Sequence, residues 1–345
     1  MAKKYFAYVG TNSVRGSKGI YSIQIDADTL QPKLVSTHQE YNTGTLALSK
    51  SEKQLYAGIE GMTWNGFADG AVVAYATGPD GVLHPTGGAR SHGQRTCCVD
   101  VDDAGKNVYA CNFYEGTFSA FSLNPDGSPQ EARMVIAPPE DAEWKALHCI
   151  RALPGGKYLA VISLAECALI IYTADTGKRV TEYKFATRPF PRYIEVGKDT
   201  IYALMQDPGD IYVFANRLEE QQKIVWLQTI STQRADFEGH FGTTTVRLTP
   251  DGTLLLAATR EANSLTVYRV QLDGRLALQD IVTLPGHTPR DFNISRDGRV
   301  VVTALQSDDE LCVHRIDYEK GTLQDTGWKL SVPSPAAVVV SGVNV

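Results

Sequence analysis

The side chains able to do chemistry in this 345-residue chain are arginines and one histidine that recur at matching places along it. His148, Arg192, Arg247 and Arg290 stand near the beginnings of strand-forming runs, in series with Thr45 and Cys98. Arg260 stands at the end of such a run, as do Asn12, Glu60, Asn112, Ser163, Gln206 and Gln306. Arginine is costly to desolvate and is seldom turned inward without an anion to meet it. Its planar fork suits a carboxylate or a phosphate. An imidazole among such forks can take or give a proton near neutral pH. Together these residues point to a site that holds a small anion and moves a proton, unless acids such as Glu166, Asp207 and Glu261 neutralise the arginines internally.

Metal chemistry lacks a matching pattern. His38, His84, His92, His240, His287 and His314 form neither HExxH nor a two-histidine-one-carboxylate spacing. The six cysteines contain no CxxC pair and read as small buried thiols. The glycine-containing segment 10–19 joins strand to strand and lacks the helix that would cradle a phosphate. No metal and no cofactor are therefore expected. The aromatics Trp64, Phe67, Phe113 and Tyr114 follow strands and are candidates to wall the site.

Positioning these residues is the task of a repeat. Apolar-alternating strand, Asp-Gly or Gly-Lys turn, Tyr- or Leu-centred strand, polar turn, Val-x-Tyr strand and a closing Gly-Leu hairpin recur along the chain, most clearly over 243–276. Tyr8, Tyr56, Tyr109, Leu159, Tyr202, Leu256 and Val302 fall in register roughly 50 residues apart, which makes seven copies. Each copy holds several short strands joined by hairpin turns, and none contains a convincing amphipathic helix. Such units cannot bury both faces alone, so they are expected to stack radially as an all-β, seven-bladed β-propeller, one domain over residues 1–345. The first copy lacks its first strand, and 334–342 is a lone strand at the other end. That strand is expected to close the ring by completing the first blade from the inside. Starts of innermost strands and ends of the next strands then share one face of the disc, at the mouth of the central channel.

Composition narrows the partners. Lys and Arg total 33 against 39 Asp and Glu, a net charge of −6, so the chain offers no broad cationic field for nucleic acid. A cationic mouth would be a local exception that focuses anionic ligands. No apolar run suits a secretory leader or a membrane span. A cytoplasmic monomer or homo-oligomer without membrane contact is expected.

At Tyr8-Val-Gly-Thr11 and Ser17-Lys-Gly-Ile-Tyr21 the sequence resembles the seven-bladed β-propeller lactonase family, which includes 6-phosphogluconolactonase-like bacterial proteins and the fungal carboxy-cis,cis-muconate cyclase. Ala110-Cys-Asn-Phe113, Thr249-Pro-Asp-Gly252, Ala258-Thr-Arg260 and Thr288-Pro-Arg-Asp-Phe292 extend the likeness over nearly the whole chain. The resemblance implies metal-independent opening or closing of a lactone at the channel mouth. It places the catalytic residues on His148, Arg192, Gln206 and Arg260, with Gln206 where the family usually has Glu. Cys98 and Arg247 stand where it usually has histidines, and Ser163-Leu-Ala where it has Asp-Leu-Gly. The expected activity is hydrolysis of a small acidic sugar lactone: an aldonolactone, an aldarolactone or a phosphosugar lactone. His148 would serve as general base, while Arg247, Arg290, Asn112, Glu60 and Gln306 join the other arginines in binding substrate. The alternatives are a muconate-type lactonising cycloisomerase acting on a dicarboxylate, and a non-catalytic ligand-binding propeller.

Overall fold

Each repeat folds as one four-stranded antiparallel sheet, and seven such sheets form a closed ring in the computed structural model, which describes residues 3–61, 63–138, 145–186, 190–234 and 237–343. The innermost strands, from the first blade to the seventh, are Pro335–Val340, Thr45–Leu48, Thr96–Val101, Leu147–Ala152, Pro191–Val196, Thr243–Leu248 and Pro289–Ile294. Each packs against the next around the channel. Among the described residues helix is confined to Leu218–Gln221 and a 3-10 turn at Gln306–Asp308.

The residues placed in register by the repeat form the core. Tyr8, Tyr56, Tyr109, Leu159, Tyr202, Leu256 and Val302 are all buried in the second strand of their blade. Burying such side chains between neighbouring sheets removes about 25 cal/mol of unfavourable hydration per Å² of apolar surface. The tight turns follow from their residues: Asp251 Oδ1 accepts from Thr249 Oγ1 at 2.7 Å and from the Thr253 amide at 3.1 Å. Gly252 takes the left-handed φ of 72° that this turn requires.

Closure occurs where the orphan strands predicted it. Pro335–Val340 pairs antiparallel with Lys4–Thr11, Tyr8 facing Val339 and Val9 facing Val338. Side chains of the seventh blade latch the same strand, since the Val338 amide donates to Asp291 Oδ2 at 2.8 Å and the Val340 amide to Asn293 Oδ1 at 3.3 Å.

One irregularity recurs in the innermost strands. Leu147 faces Ser163 and Cys149 faces Ile162, leaving His148 as an extra residue without a cross-strand partner. Arg192, Arg290 and Cys97 are extra residues in the same place in their own blades, and Thr244 with Thr245 forms the corresponding bulge opposite Ala258. A β-bulge bends its strand and re-aims a side chain. Repeated around a ring, it produces a layer of side chains at one depth.

Candidate active site

The bulge layer assembles Cys97, His148, Arg192, Thr244 and Arg290 around a chamber of about 50 Å³ inside the channel. That volume is room for one or two water molecules. The remaining residues of this face come from the ends of second strands. Gln206 follows Thr200–Met205, and its Oε1 accepts from Arg192 Nη1 at 2.6 Å. Arg260 follows Leu254–Thr259, and its Nε donates to the Gly242 carbonyl at 2.8 Å. Glu60 follows Gln54–Ile59 and reaches across Gly44, where a Cβ would lie 1.9 Å from the carboxylate Oε1.

Arg192, Arg260 and Arg290 have no carboxylate partner among the described residues. Arg192 Nε donates to the Thr244 carbonyl at 3.2 Å, and the Arg290 side chain makes no hydrogen bond or ion pair among the described residues. None of the acids that might have neutralised these arginines forms an ion pair with them among the described residues, although Glu261 and Asp207 offset the charge of Arg260 from a distance. Glu166 pairs with Arg179 at 2.7 Å, and Asp207 accepts the Phe241 amide at 3.1 Å. Burial, then Arg290 and Arg260, push the Arg192 pKa well below the usual arginine range, and Arg260 is lowered by burial and Arg290. Uncompensated cations held this close are a stored attraction for an anion.

His148 sits in that field. Burial first, then Arg192, Arg290 and Arg95, hold its pKa well below the ordinary histidine value. The imidazole is thus neutral across physiological pH, not poised at the midpoint that an isolated histidine would suggest. Its Nδ1 is buried without a hydrogen-bond partner among the described residues. A neutral imidazole keeps a lone pair on one of its two ring nitrogens and so can accept a proton.

Three residues sit otherwise than the strand pattern suggested. Arg247 is the fifth residue of Thr243–Leu248, so it lies deeper in the channel than the bulge layer and lines the floor of the chamber as well as the cavity beyond. It pairs there with Asp291 at 3.5 Å and Glu195 at 3.9 Å. Arg151, also a fifth residue, pairs with Asp100 at 3.0 Å, and the two guanidinium groups each lie 5.0 Å from the Tyr193 ring. Burial opposes the charge on Arg247, but Tyr193 and Asp291 outweigh it and raise its pKa. This paired belt separates the chamber from a 460 Å³ cavity at the opposite mouth, which Asp100, Arg151, Glu195 and Arg247 line. That larger cavity lacks the unpaired arginines and the histidine.

Asn112 is fully buried, and its polar atoms are already used: Nδ2 donates to the Ser91 carbonyl at 2.8 Å and to Thr117 Oγ1 at 2.9 Å, while Oδ1 accepts from Thr96 Oγ1 at 3.0 Å. It braces the third blade and has no donor left for a substrate. Cys98 is the third residue of its strand, and Cys97 occupies the bulge, although both line the chamber. Gln306 does face this side on the 3-10 turn, and its Nε2 is buried without a partner among the described residues.

Arg95 is a site residue that the strand pattern did not select. It precedes the bulged strand in a left-handed conformation, φ 57°, fixed by its amide to the Gly61 carbonyl at 3.2 Å and its carbonyl to the Phe113 amide at 3.0 Å. Its guanidinium lies 5.0 Å from the Phe113 ring and 5.7 Å from that of Tyr114, and Nε is 3.3 Å from Glu60 Oε2. Phe113 in turn meets His148 edge-on at 5.9 Å. Trp64 and Phe67 bridge each other, and Phe67 packs beneath Arg90, at the outer part of the second blade. A signal for Arg95 was present in its position immediately before an innermost strand.

Known proteins share this architecture and sequence. A 6-phosphogluconolactonase of Bacillus subtilis (strain 168) is 28% identical over 349 residues, covering 97% of this chain and 98% of the relative. A structure described as the periplasmic gluconolactonase of Pseudomonas aeruginosa superposes with a TM-score of 0.88 at 21% identity, covering 98% of this chain and 99% of the other. A Lactobacillus plantarum protein gives 0.86 at 23% identity, with 98% and 99% coverage. At these identities the two structures speak for the fold alone. No helix among the described residues is long and apolar enough to cross a membrane. The model of the family described as lactonase, 7-bladed beta-propeller, matches residues 6–340, and the chain belongs to the seven-bladed β-propeller lactonase family.

Proposed function

We propose that the protein hydrolyses a small acidic sugar lactone, an aldonolactone, aldarolactone or phosphosugar lactone, at the face bearing His148. One observation carries the reading: Arg192 and Arg290, neither paired with an acid among the described residues, line the chamber beside a neutral, partly buried imidazole, and Arg260 adds its charge to theirs. The family and the Bacillus relative support lactone chemistry, and the arginines supply the preference for an acid.

The chamber is too small for a sugar ring, so the lactone would sit above it with its carbonyl turned inward. Arg260 and Arg290 would hold the anionic substituent, and Arg192, fixed by Gln206 Oε1, would face the carbonyl oxygen. The His148 imidazole takes a proton from water as the water oxygen adds to the carbonyl carbon. Negative charge gathers on the carbonyl oxygen, where preorganised cations are most effective. The ring C–O bond then breaks, and the imidazolium returns its proton to the departing alkoxide, leaving the open hydroxy acid. Gln206 cannot accept a proton in this scheme and serves by orienting Arg192.

A panel of acidic sugar lactones with a pH indicator tests the reading, because ring opening at neutral pH releases a proton whereas cyclisation or mere binding does not. Catalysed acidification with at least one acidic lactone, lost in His148→Ala, is expected. No turnover of any of them would overturn it.

A further inference from the structure

Four thiols lie close together behind the wall of the reaction chamber, two of them, Cys97 and Cys98, lining it, and the hydrolytic scheme uses none of them. Cys97 Sγ is 3.8 Å from Cys111 Sγ, and Cys98 Sγ is 3.7 Å from Cys149 Sγ. They form a chain across two blades, and among the described residues no three His, Cys, Asp or Glu side chains gather closely enough to hold a metal ion. Cys98, Cys111 and Cys149 are buried. Cys97 is half-buried, occupies the bulge and lines the chamber with His148, Arg192 and Arg290.

We propose that Cys97 is an oxidation site of this layer, converted by a hydroperoxide to a sulfenic acid that Cys111 then resolves as a disulfide, disabling the adjoining anion site. Reactive cysteines sit in electropositive, partly exposed surroundings, and Cys97, next to Arg192, has both. Burial pushes the Cys111 and Cys149 thiols up, and Cys98, pushed down by its contacts with Cys111 and Cys149, is buried, so Cys97 is the thiol of the cluster that an oxidant meets first. In the first step the Cys97 sulfur attacks the peroxide O–O bond, taking one oxygen as Cys97–SOH and releasing water. In the second, Cys111 sulfur attacks the Cys97 sulfur, the S–O bond breaks, and the hydroxyl leaves with the Cys111 proton as a second water. Two thiols lose two electrons to one peroxide.

The geometry favours this pair. Cys98 is the residue in register with Cys111, and Cys97 is the bulged extra beside it. Cys97 sulfur can therefore close the gap to the ~2.05 Å of an S–S bond without breaking a ladder pair. At present its single S–H has three carbonyls in reach, Leu147 at 3.4 Å, Cys111 at 3.6 Å and His148 at 3.7 Å, the nearest belonging to the strand that carries the imidazole. Disulfide formation removes that donor from the backbone that carries the imidazole. The thiol chemistry stands independently; its consequence for turnover rests on the proposed hydrolase reading.

The test treats the reduced full chain with equimolar hydrogen peroxide and follows intact mass, then maps linked peptides with fragmentation that separates Cys97 from Cys98. The expected result is a mass loss of two hydrogens, a Cys97 to Cys111 linkage, and reversal by dithiothreitol. Cys97→Ser should oxidise at least tenfold more slowly, and Cys111→Ala should yield a Cys97 sulfenic acid trapped by dimedone. Melting curves confirm that both variants are folded; should Cys97→Ser fail to fold, the Cys111→Ala trapping and the parent's peptide map decide. Oxidation at an unchanged rate in Cys97→Ser, or a linkage elsewhere in place of Cys97 to Cys111, overturns the site. If the disulfide forms and an acidic lactone is still opened at the full rate, the disabling effect is refuted. If the reduced protein opens no lactone, the hydrolase reading fails while the disulfide result stands.

Discussion

Replacing Gln206 with Glu adds one negative charge at a known place among three unpaired arginines. Gln206 Oε1 already accepts from Arg192 at 2.6 Å, so a carboxylate there inherits the contact and makes it an ion pair. At about 4 Å between charge centres and an effective dielectric constant near 20, the attraction is ~4 kcal/mol. Desolvating the new carboxylate takes back much of that, leaving ~1–2 kcal/mol of added stability. For a chain of this length the melting temperature should rise by about 1–3 °C. The same charge opposes a bound anion. At about 6 Å and the same dielectric constant the repulsion is ~3 kcal/mol, a loss of roughly 100-fold in affinity. Titration calorimetry with a phosphorylated aldonate, the open product of one proposed substrate class, would read the second effect and thermal melting the first. Gln206→Glu that melts lower than the parent, or binds the phosphorylated aldonate equally well, would refute the account of an unpaired guanidinium cluster.

His148→Ala should lower turnover of an acidic lactone by about 10²–10⁴-fold while anion binding, measured by calorimetry, persists. Because its pKa is held well below the usual 6.5, the parent's kcat/KM should be flat from pH 6.5 upward and fall only below that, as the imidazole gains its proton. The unfolded chain takes up that proton first, so acidification from about pH 6.5 down to the folded pKa should cost the parent stability that His148→Ala does not lose, as chemical denaturation across pH would show. Arg247→Ala strands Asp291 and Glu195 and should destabilise the fold by ~3–5 kcal/mol in the same assay, whereas Arg290→Ala removes an unpaired charge and should leave stability unchanged or raised while weakening the anion. Deleting residues 334–345 unpairs the inner edge of the first blade and should lower the melting temperature by more than about 5 °C, and an unchanged transition would refute closure by that strand.

The ring was legible because its signals are local and repeated: Tyr56, Tyr109 and Tyr202 mark second strands by spacing alone, and the unmatched terminal strands had only each other to pair with. Depth within the channel was not. Arg247 and Arg290 look equivalent as arginines near the start of a strand and both line the chamber, yet one is held in a belt of acids and the other has no side-chain partner among the described residues. The difference is three residues of register on a strand whose bulge cannot be read from hydrophobic alternation. Asn112 has the right residue type at the right strand end, but Ser91, Thr96 and Thr117 claim it, partners that come together only after the hairpins fold. Arg95 escaped notice because its placement depends on a left-handed backbone fixed by Gly61 and Phe113, outside any strand pattern.

A residue on a bulge has no cross-strand neighbour to satisfy, so its identity is released from the demands of sheet pairing. In this ring that freedom coincides with the depth at which a ligand would be met: cysteine, histidine, arginine, threonine and arginine again occupy equivalent stations on successive blades. Chemistry and folding are thereby written in separate letters of the same strand. One blade can exchange its station for another side chain, and the blades on either side keep their pairing. Swapping Thr244 for a histidine, or Cys97 for an arginine, would edit the reagent set while leaving the aromatic and aliphatic ribs of the second strands as they are. A scaffold arranged in this way can drift between substrates by single replacements, each carrying little structural penalty.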